Sequence, residues 1–102
     1  MALIMHSLLV KPGEAPVEVI LDGTEAQLED LVDGKIASIG VDDGICVIYN
    51  ALSDKLNMPF NRSVYDHDFY GSFVLVGFNE FGSLDSIPEE NVGYYIDMLT
   101  LD

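Results

Sequence analysis

The sequence is poor in cysteine, in positive charge and in long apolar runs. Its single cysteine, Cys46, lies between Ile45 and Val47. One cysteine cannot form an intramolecular disulfide, and a thiol inside an apolar run lacks the exposure and the positive neighbour that a nucleophile needs. We therefore expect a buried structural thiol, and we expect neither a disulfide-stabilised fold nor catalysis by cysteine.

Positively charged residues number only four. Against eighteen aspartates and glutamates they leave a formal net charge of −14 on 102 residues. A surface of this sign repels phosphate groups, so we do not expect direct binding of nucleic acid or of anionic lipid. Such a surface would attract a cationic groove on another protein, although carboxylates also serve simply to keep a small domain soluble.

No apolar run is long enough to cross a membrane. The apolar opening stretch, residues 1–10, lacks the basic n-region and the small-residue cleavage site of a signal peptide. A bilayer-spanning helix needs about 20 apolar residues, and a secretory signal needs both of those missing features. We interpret residues 2–10 as a first strand and expect a cytoplasmic protein without membrane contact.

What the sequence does contain is apolar material arranged in strands. The hydrophobic content of 49% over 102 residues predicts one domain, 1–102, with a single core. Runs 45–49 and 73–78, each bounded by Gly or Asn, predict central strands buried on both faces. Turn signatures predict two antiparallel hairpins, which join strand 2–10 to strand 17–21 and strand 36–41 to strand 45–49.

Capping patterns predict two helices. Thr24 and Gln27 have the spacing of a capping box, which predicts a helix over 25–32 that ends with Gly34 in the left-handed position. Ser86 and Glu89 give a second capping pattern before a helix over 88–99. That helix should bury one face, formed by Val92, Tyr95, Ile96 and Leu99.

The fold class that follows is α+β, with a mostly antiparallel sheet of about five strands and two helices packed on it. Residues 61–70 are polar with interleaved aromatics. We interpret them as an exposed excursion before the last main strand.

Several motifs in the central stretch resemble those of a known family. Residues 56–62, Leu-Asn-Met-Pro-Phe-Asn-Arg, and residues 70–77, Tyr-Gly-Ser-Phe-Val-Leu-Val-Gly, resemble its Leu-Asn-x-x-x-Asn-Arg and Gly-x-Phe-hydrophobic-Val-Gly signatures. The family is a small bacterial and phage family catalogued as domain of unknown function 3846. The resemblance extends to residues 10–13 and 22–34, and it implies an accessory or counter-defence protein of a phage or mobile element. It implies no catalytic residues.

One candidate site surrounds the only arginine. Asn57, Asn61, Arg62 and Asp66 could together recognise a carboxylate or a phosphate. The structural alternative is that the two amides bond loop backbone while Arg62 pairs with Asp66 or Asp68. In a domain this acidic, the second reading is favoured.

The sequence does not favour catalysis, a metal or a cofactor. Asp66, His67 and Asp68 carry metal-ligating groups, but neighbours on an extended chain point to opposite sides, so only the two carboxylates would converge. No serine elbow, triad fragment or phosphate-binding loop is present in the sequence. We therefore predict no catalytic residues, no metal ligands and no cofactor.

A second candidate site is a partner-binding surface, because aromatics flanked by carboxylates are typical of protein interfaces. We predict a non-enzymatic protein that binds another protein. One candidate partner is a nuclease, whose basic DNA-binding groove the acidic surface would occupy by mimicking the charge of DNA. The rivals are a small-ligand-binding domain or enzyme at the arginine cluster, and a homodimer formed through the sheet edge. The predicted partner-binding residues are Tyr65, Asp66, Asp68, Phe69, Tyr70 and Glu80.

Overall fold

The computed structural model describes residues 4–100, which form eight strands and two helices. The predicted first strand begins at Met5, and residues 2 and 3 of that prediction lie outside the described residues. In chain order the elements are β1 Met5–Val10, β2 Val17–Leu21, α1 Glu25–Val32, β3 Ile36–Asp42, β4 Ile45–Asn50, β5 Phe60–Val64, β6 His67–Tyr70, β7 Phe73–Phe78, β8 Leu84–Asp85 and α2 Glu89–Leu99.

The main sheet has the strand order β2-β1-β7-β4-β3, and the short β8 pairs with the end of β7. All of these pairings are antiparallel, which confirms the predicted α+β class and both predicted hairpins. The two runs that the sequence singled out, β4 and β7, are neighbours near the middle of the sheet and are almost wholly buried. Apolar residues at successive positions fit strands that are covered on both faces.

Alternate residues of the central strands divide the core into two clusters. On one face Cys46, Ile48, Val74 and Val76 pack with Met5 and the apolar side of α1. The other face packs against α2 and the β5–β6 hairpin, through residues that include Leu8, Val47, Leu75, Tyr95 and Leu99. The sheet is therefore the middle of three layers.

The interpretation of residues 61–70 as an exposed excursion is wrong. They belong to the antiparallel hairpin of β5 and β6, which buries Val64 and Phe69 against the sheet. Its two-residue turn has Tyr65 at φ 53°, where glycine or asparagine is usual. The familiar sequence sign of a tight hairpin is therefore missing, and the polar residues of β5 concealed the strand.

The first helix begins and ends where the sequence predicts, but its caps differ in detail. Thr24 Oγ1 accepts the Gln27 N–H (3.3 Å), as in a capping box, while the Gln27 side chain accepts the N–H of Asp22 instead. The left-handed residue at the end of α1 is Asp33 (φ 63°) rather than Gly34. The buried Asn50 side-chain amide, at the end of β4, donates hydrogen bonds to the carbonyls of Val32 and Asp33. These carbonyls at the end of the helix would otherwise lack a partner.

The predicted serine cap of α2 is also wrong. The N-cap residue is Pro88, and no side chain bonds to the amides of the first turn. Ser86 is used elsewhere, because its Oγ accepts the N–H of His6 (2.9 Å) and donates to the carbonyl of Ile4. This serine therefore links the segment that precedes α2 to β1 by hydrogen bonds.

The pairing of β7 with β8 requires a glycine at position 77. A Cβ on Gly77 would lie 2.1 Å from the carbonyl oxygen of Ser86, far inside van der Waals contact with backbone that cannot simply rotate away. We predict that Gly77→Ala lowers the free energy of unfolding by about 1–3 kcal/mol, measured by urea denaturation. Gly40→Ala, on β3 with nothing within 4 Å of the added Cβ, is the control. Equal stability of the two variants would contradict the prediction.

Candidate functional site

The arginine cluster begins with a β-bulge in β5. The register of β5 against β6 shifts between Phe60 and Arg62, which leaves Asn61 as an extra residue in the ladder. In a regular strand these two neighbours would point to opposite faces, but a bulge redirects side chains. Both Asn61 and Arg62 are buried here, at 5% exposure each.

Asn61 joins the hairpin to the sheet. Its Nδ2 donates to the carbonyl oxygens of Val10 (2.9 Å) and Gly71 (2.8 Å), and its Oδ1 accepts the Nε–H of Arg62 (2.8 Å). The carbonyl of Val10 belongs to the end of β1, 51 residues earlier in the chain. Both the amide nitrogen and the amide oxygen of Asn61 are therefore engaged in hydrogen bonds within the fold.

Arg62 bonds to three main-chain carbonyls from two distant parts of the chain. Its Nη2 donates to the carbonyls of Lys11 (3.0 Å) and Glu14 (2.6 Å), in the turn between β1 and β2, and its Nη1 donates to the carbonyl of Leu99 at the end of α2. A cation at a helix carboxyl end also interacts favourably with the helix dipole. Burial lowers the pKa of the Arg62 guanidinium, which nevertheless stays charged at neutral pH.

These contacts replace the predicted pairing of Arg62 with Asp66 or Asp68. The two remaining members of the predicted ligand site, Asn57 and Asp66, are exposed and lie beyond opposite ends of β5. The structure thus brings Asn61 and Arg62 together and leaves Asn57 and Asp66 apart from them. Ligand binding by the four residues stays a prediction, and the guanidinium donors named above already have protein acceptors.

We predict that Arg62→Met lowers the free energy of unfolding by about 2–3 kcal/mol, because carbonyls of Lys11, Glu14 and Leu99 lose a donor in buried or partly buried surroundings. Arg62→Lys should recover little of this loss, since an ammonium group cannot reproduce the planar fork. Urea denaturation would measure both variants, with the exposed Lys35→Met as the control. An Arg62→Met protein as stable as that control would refute the assignment.

A concave site lies between the β5–β6 hairpin, the 51–57 turn and the sheet. We call it the hairpin cleft, and its volume is about 500 Å³. Its apolar wall consists of Ile39, Tyr49 and Phe69. Polar groups complete the lining: Ser53, Asp54, Asp66, His67, Asp68 and Tyr70.

Aromatic packing fixes the wall of this cleft. Phe69 is 4% exposed, and its ring lies edge-on to that of Tyr49, with centroids 5.5 Å apart. On its other side Phe69 packs against Phe73 at 5.0 Å. At the rim, the Tyr70 ring packs edge-on against Phe60, also at 5.5 Å. The wall is therefore preformed, while Tyr70 remains partly exposed.

The carboxylates of the cleft come from three different segments. Asp54 belongs to the 51–57 turn, Asp66 to the hairpin turn and Asp68 to β6, and all three are exposed. Asp68 accepts a hydrogen bond from the Ser63 hydroxyl. Carboxylates beside aromatic rings attract a lysine or arginine side chain through charge and through cation–π contact.

The structure brings together four of the six predicted partner-binding residues. Asp66, Asp68, Phe69 and Tyr70 line the cleft, with Phe69 contributing from the interior. Tyr65 lies next to Asp66 in the hairpin turn, whereas Glu80 lies in the turn after β7 and does not line the cleft. Sequence reasoning missed the contributions of Ile39, Tyr49 and Asp54, because only the tertiary fold brings them near β6.

A hydrogen-bonded cluster holds the turn end of the hairpin. Asp42 Oδ2 accepts the hydroxyl protons of Tyr95 (2.7 Å) and Tyr65 (3.1 Å). A bulge in β3, between Gly40 and Asp42, places Asp42 opposite Ile45 and so on the side of α2. One carboxylate thereby joins β3, the hairpin and α2.

These bonds shift the titration of both partners. The Tyr95 hydroxyl, the Asp43 N–H and the Tyr65 hydroxyl, in that order of importance, hold the pKa of Asp42 below its usual value. Burial, together with the hydrogen bonds to Tyr65 and Asp42, raises the pKa of Tyr95 above its ordinary range. Both pKa shifts favour the same state, in which the Asp42 carboxylate is charged and the Tyr95 phenol is neutral.

The cluster predicts a pH dependence of stability. The folded-state pKa of Asp42 lies below its unfolded-state pKa of about 3.9. The ionised Asp42 carboxylate therefore stabilises the folded protein fully at pH values above the unfolded-state pKa. This stabilisation is lost as the pH falls through the folded-state pKa. We predict that Asp42→Asn unfolds at a lower temperature than the wild type at pH 7, and that the gap narrows below about pH 4. Thermal denaturation against pH measures this, with Asp43→Asn as control. A gap that stays constant down to low pH would contradict it.

Cys46 is buried in the core, as predicted, and burial raises the pKa of its thiol. Among residues 4–100, no three His, Cys, Asp or Glu side chains are grouped so that they could hold a metal ion. Neither helix in that part of the chain has the length and apolar content needed to cross a membrane.

The carboxylates lie on both outer layers of the molecule. The α1 layer carries Glu25 and Asp30, and the α2 layer carries Glu89, Glu90 and Asp97. Since Arg62 is buried, the exposed positive side chains of the described residues are the three lysines. The acidic character is therefore general, and at the hairpin cleft it coincides with a concave aromatic wall.

The fold and the cleft together define an antiparallel α+β domain with an acidic, aromatic-walled concavity. The chain belongs to the family described as Domain of unknown function (DUF3846), whose profile matches residues 5–100. The resemblance found in the central motifs is thus confirmed. A search of the curated proteins gave no match, and a search of the solved structures gave none either.

Proposed function

We propose that this protein is a non-enzymatic binding domain whose hairpin cleft receives a lysine or arginine side chain of a basic protein partner. The observation that carries the proposal is the meeting of Asp54, Asp66 and Asp68 with the rings of Tyr49 and Phe69 around about 500 Å³. The carboxylates meet the charge of such a side chain, and the rings meet its alkyl stem or its cationic head.

The net charge gives the cleft a wider electrostatic setting. A charge of −14 attracts a cationic partner from beyond contact distance, with a reach of about 10 Å at 0.1 M salt. This long-range attraction raises the rate of encounter with basic partners and repels nucleic acids. The cleft would then select the partner side chain that fits between carboxylate and ring.

Magnitudes limit what the cleft can do alone. An exposed ion pair contributes about 0.2–1 kcal/mol, and a cation–π contact at an exposed site about 0.5–1 kcal/mol. Three ion pairs and one cation–π contact of this size therefore give only weak binding of a single lysine or arginine side chain. A specific partner must add further contacts, so we propose that the cleft orients a larger basic surface.

The family resemblance suggests the setting for such a partner. We propose that the domain acts in the cytoplasm as an accessory protein of a phage or mobile element, against a nuclease with a basic DNA-binding groove. In that case the chain would compete with duplex DNA for the nuclease, and rising salt would weaken the competition. Failure to compete at low salt would remove this setting and leave the basic-partner proposal standing.

We predict that neutralising the cleft weakens binding of a fluorescein-labelled hexa-arginine peptide. Asp54→Asn, Asp66→Asn and Asp68→Asn combined should raise the Kd about tenfold at low salt, since three pairs at about 0.5 kcal/mol each sum to about 1.5 kcal/mol. The difference should shrink at about 1 M salt, where the Debye length is only ~3 Å. Fluorescence anisotropy measures both.

The control neutralises three exposed carboxylates at α1, in the opposite layer: Glu25→Gln, Asp30→Asn and Asp33→Asn. This control variant changes the net charge by the same amount but leaves the cleft carboxylates in place. It should therefore weaken peptide binding much less than the cleft variant does. Equal weakening by the two triple variants would assign binding to overall charge and refute the role of the cleft.

A further inference from the structure

A second concavity lies on the same side of the sheet as α2, at the opposite edge from the hairpin cleft. We call it the α2–β2 groove, and its volume is about 590 Å³. Its floor is apolar, formed by Ile87, Val92 and Ile96, and Glu18 and Glu89 stand at its rim. A smaller cavity of about 250 Å³ shares His6, Glu18 and Val92 with it and continues toward Ile20.

The groove exists because the α2 layer is narrower than the sheet. Strands lie about 4.8 Å apart and a helix is about 10 Å wide, so one helix covers roughly two strands. Residues of α2 share one core cluster with β1, β7 and β4, and no residue of the edge strand β2 belongs to that cluster. Ile20, opposite His6 in the β1–β2 pairing, is 64% exposed as a result.

The helix face that borders the groove contains a glycine that the fold does not require. Glu89, Val92, Gly93 and Ile96 recur at the spacing of one helix face. A Cβ on Gly93 would meet nothing within 4 Å, and its φ is not positive. Glycine in a helix interior costs about 1 kcal/mol relative to alanine, so its presence needs another reason.

Close approach of another molecule is such a reason, because glycine lets an incoming backbone reach the helix without a side chain in between. The chemistry of the lining then selects the occupant. An aliphatic side chain fits the floor of Ile87, Val92 and Ile96, and cationic side chains fit the carboxylates of Glu18 and Glu89. A second copy of this chain would bring like charge to the same rim.

We propose that the α2–β2 groove docks an extended segment of a protein partner in which lysine or arginine alternates with aliphatic residues. The segment lies along the edge strand, places an aliphatic side chain on Ile87, Val92 and Ile96, and passes over Gly93. This site is separate from the hairpin cleft and does not depend on the function proposed for it.

The test is an NMR titration of the ¹⁵N-labelled protein with the peptide Lys-Val-Lys-Val-Lys. The amides of Gly93, Glu18 and Ile20 should shift most, and a Glu-Val-Glu-Val-Glu peptide should leave them unchanged. Gly93→Leu fills the groove, and it should weaken the peptide about tenfold while keeping or raising the melting temperature, because leucine is the better helix former. Glu18→Gln with Glu89→Gln should weaken it about threefold to fivefold.

Two controls separate the groove from the rest of the surface. Glu25→Gln with Asp30→Asn removes the same charge at α1 and should leave the peptide affinity within about twofold of wild type. The neutralised hairpin cleft should likewise retain this peptide, so the failure of one site would not be mistaken for the failure of the other.

Three results would overturn the proposal. The first is a stably folded Gly93→Leu protein that binds the peptide as the wild type does. The second is a set of shifts centred on Asp54, Asp66 and Asp68 instead of on the groove. The third is concentration-dependent dimerisation that Gly93→Leu abolishes, because it would make a second copy of the chain the occupant.

Discussion

A buried guanidinium needs acceptors in place of the water it has lost, and the way Arg62 meets that need determines how the layers of this domain join. Besides the neighbouring Asn61 amide oxygen, its acceptors are main-chain carbonyls, which belong to the turn after β1 and to the end of α2. Such carbonyls have fixed positions, so the side chain can bond to them only if hairpin, sheet and helix are all correctly placed. Carboxylates are plentiful in this sequence, yet none is needed here, and none of those within residues 4–100 is buried.

With the hairpin and α2 fixed over the centre of the sheet, the two edges of that face stay open. One edge gives the hairpin cleft, where β3 and β4 meet aromatic rings and aspartates. The other gives the α2–β2 groove, where the edge strand meets aliphatic side chains and glutamates. Both concavities combine an apolar wall with negative charge. The acidic composition thus acquires specific positions through the geometry of the fold.

Local patterns predicted the elements whose signals are local. The bounds of α1, the turn at Asp42-Asp43-Gly44 and the two central strands all follow from spacing within a few residues. The β5–β6 hairpin escaped prediction because Asn61 and Arg62 look like surface residues, and their partners lie 51 and 37 positions away. The same limit applies to the candidate site. Residues 66–70 were found together because they are adjacent, whereas Ile39, Tyr49 and Asp54 reach the cleft only through tertiary contacts.

The strand order has a consequence for how the chain can be made. β1 lies between β2 and β7, so it completes its pairing only when a partner more than sixty residues downstream becomes available. Arg62 likewise waits for the carbonyl of Leu99, near the end of the described residues. Contacts of such long sequence separation slow folding. A nascent chain still attached to the ribosome would therefore hold its early strands unpaired on one side, and the domain would close only after nearly all of it had been synthesised.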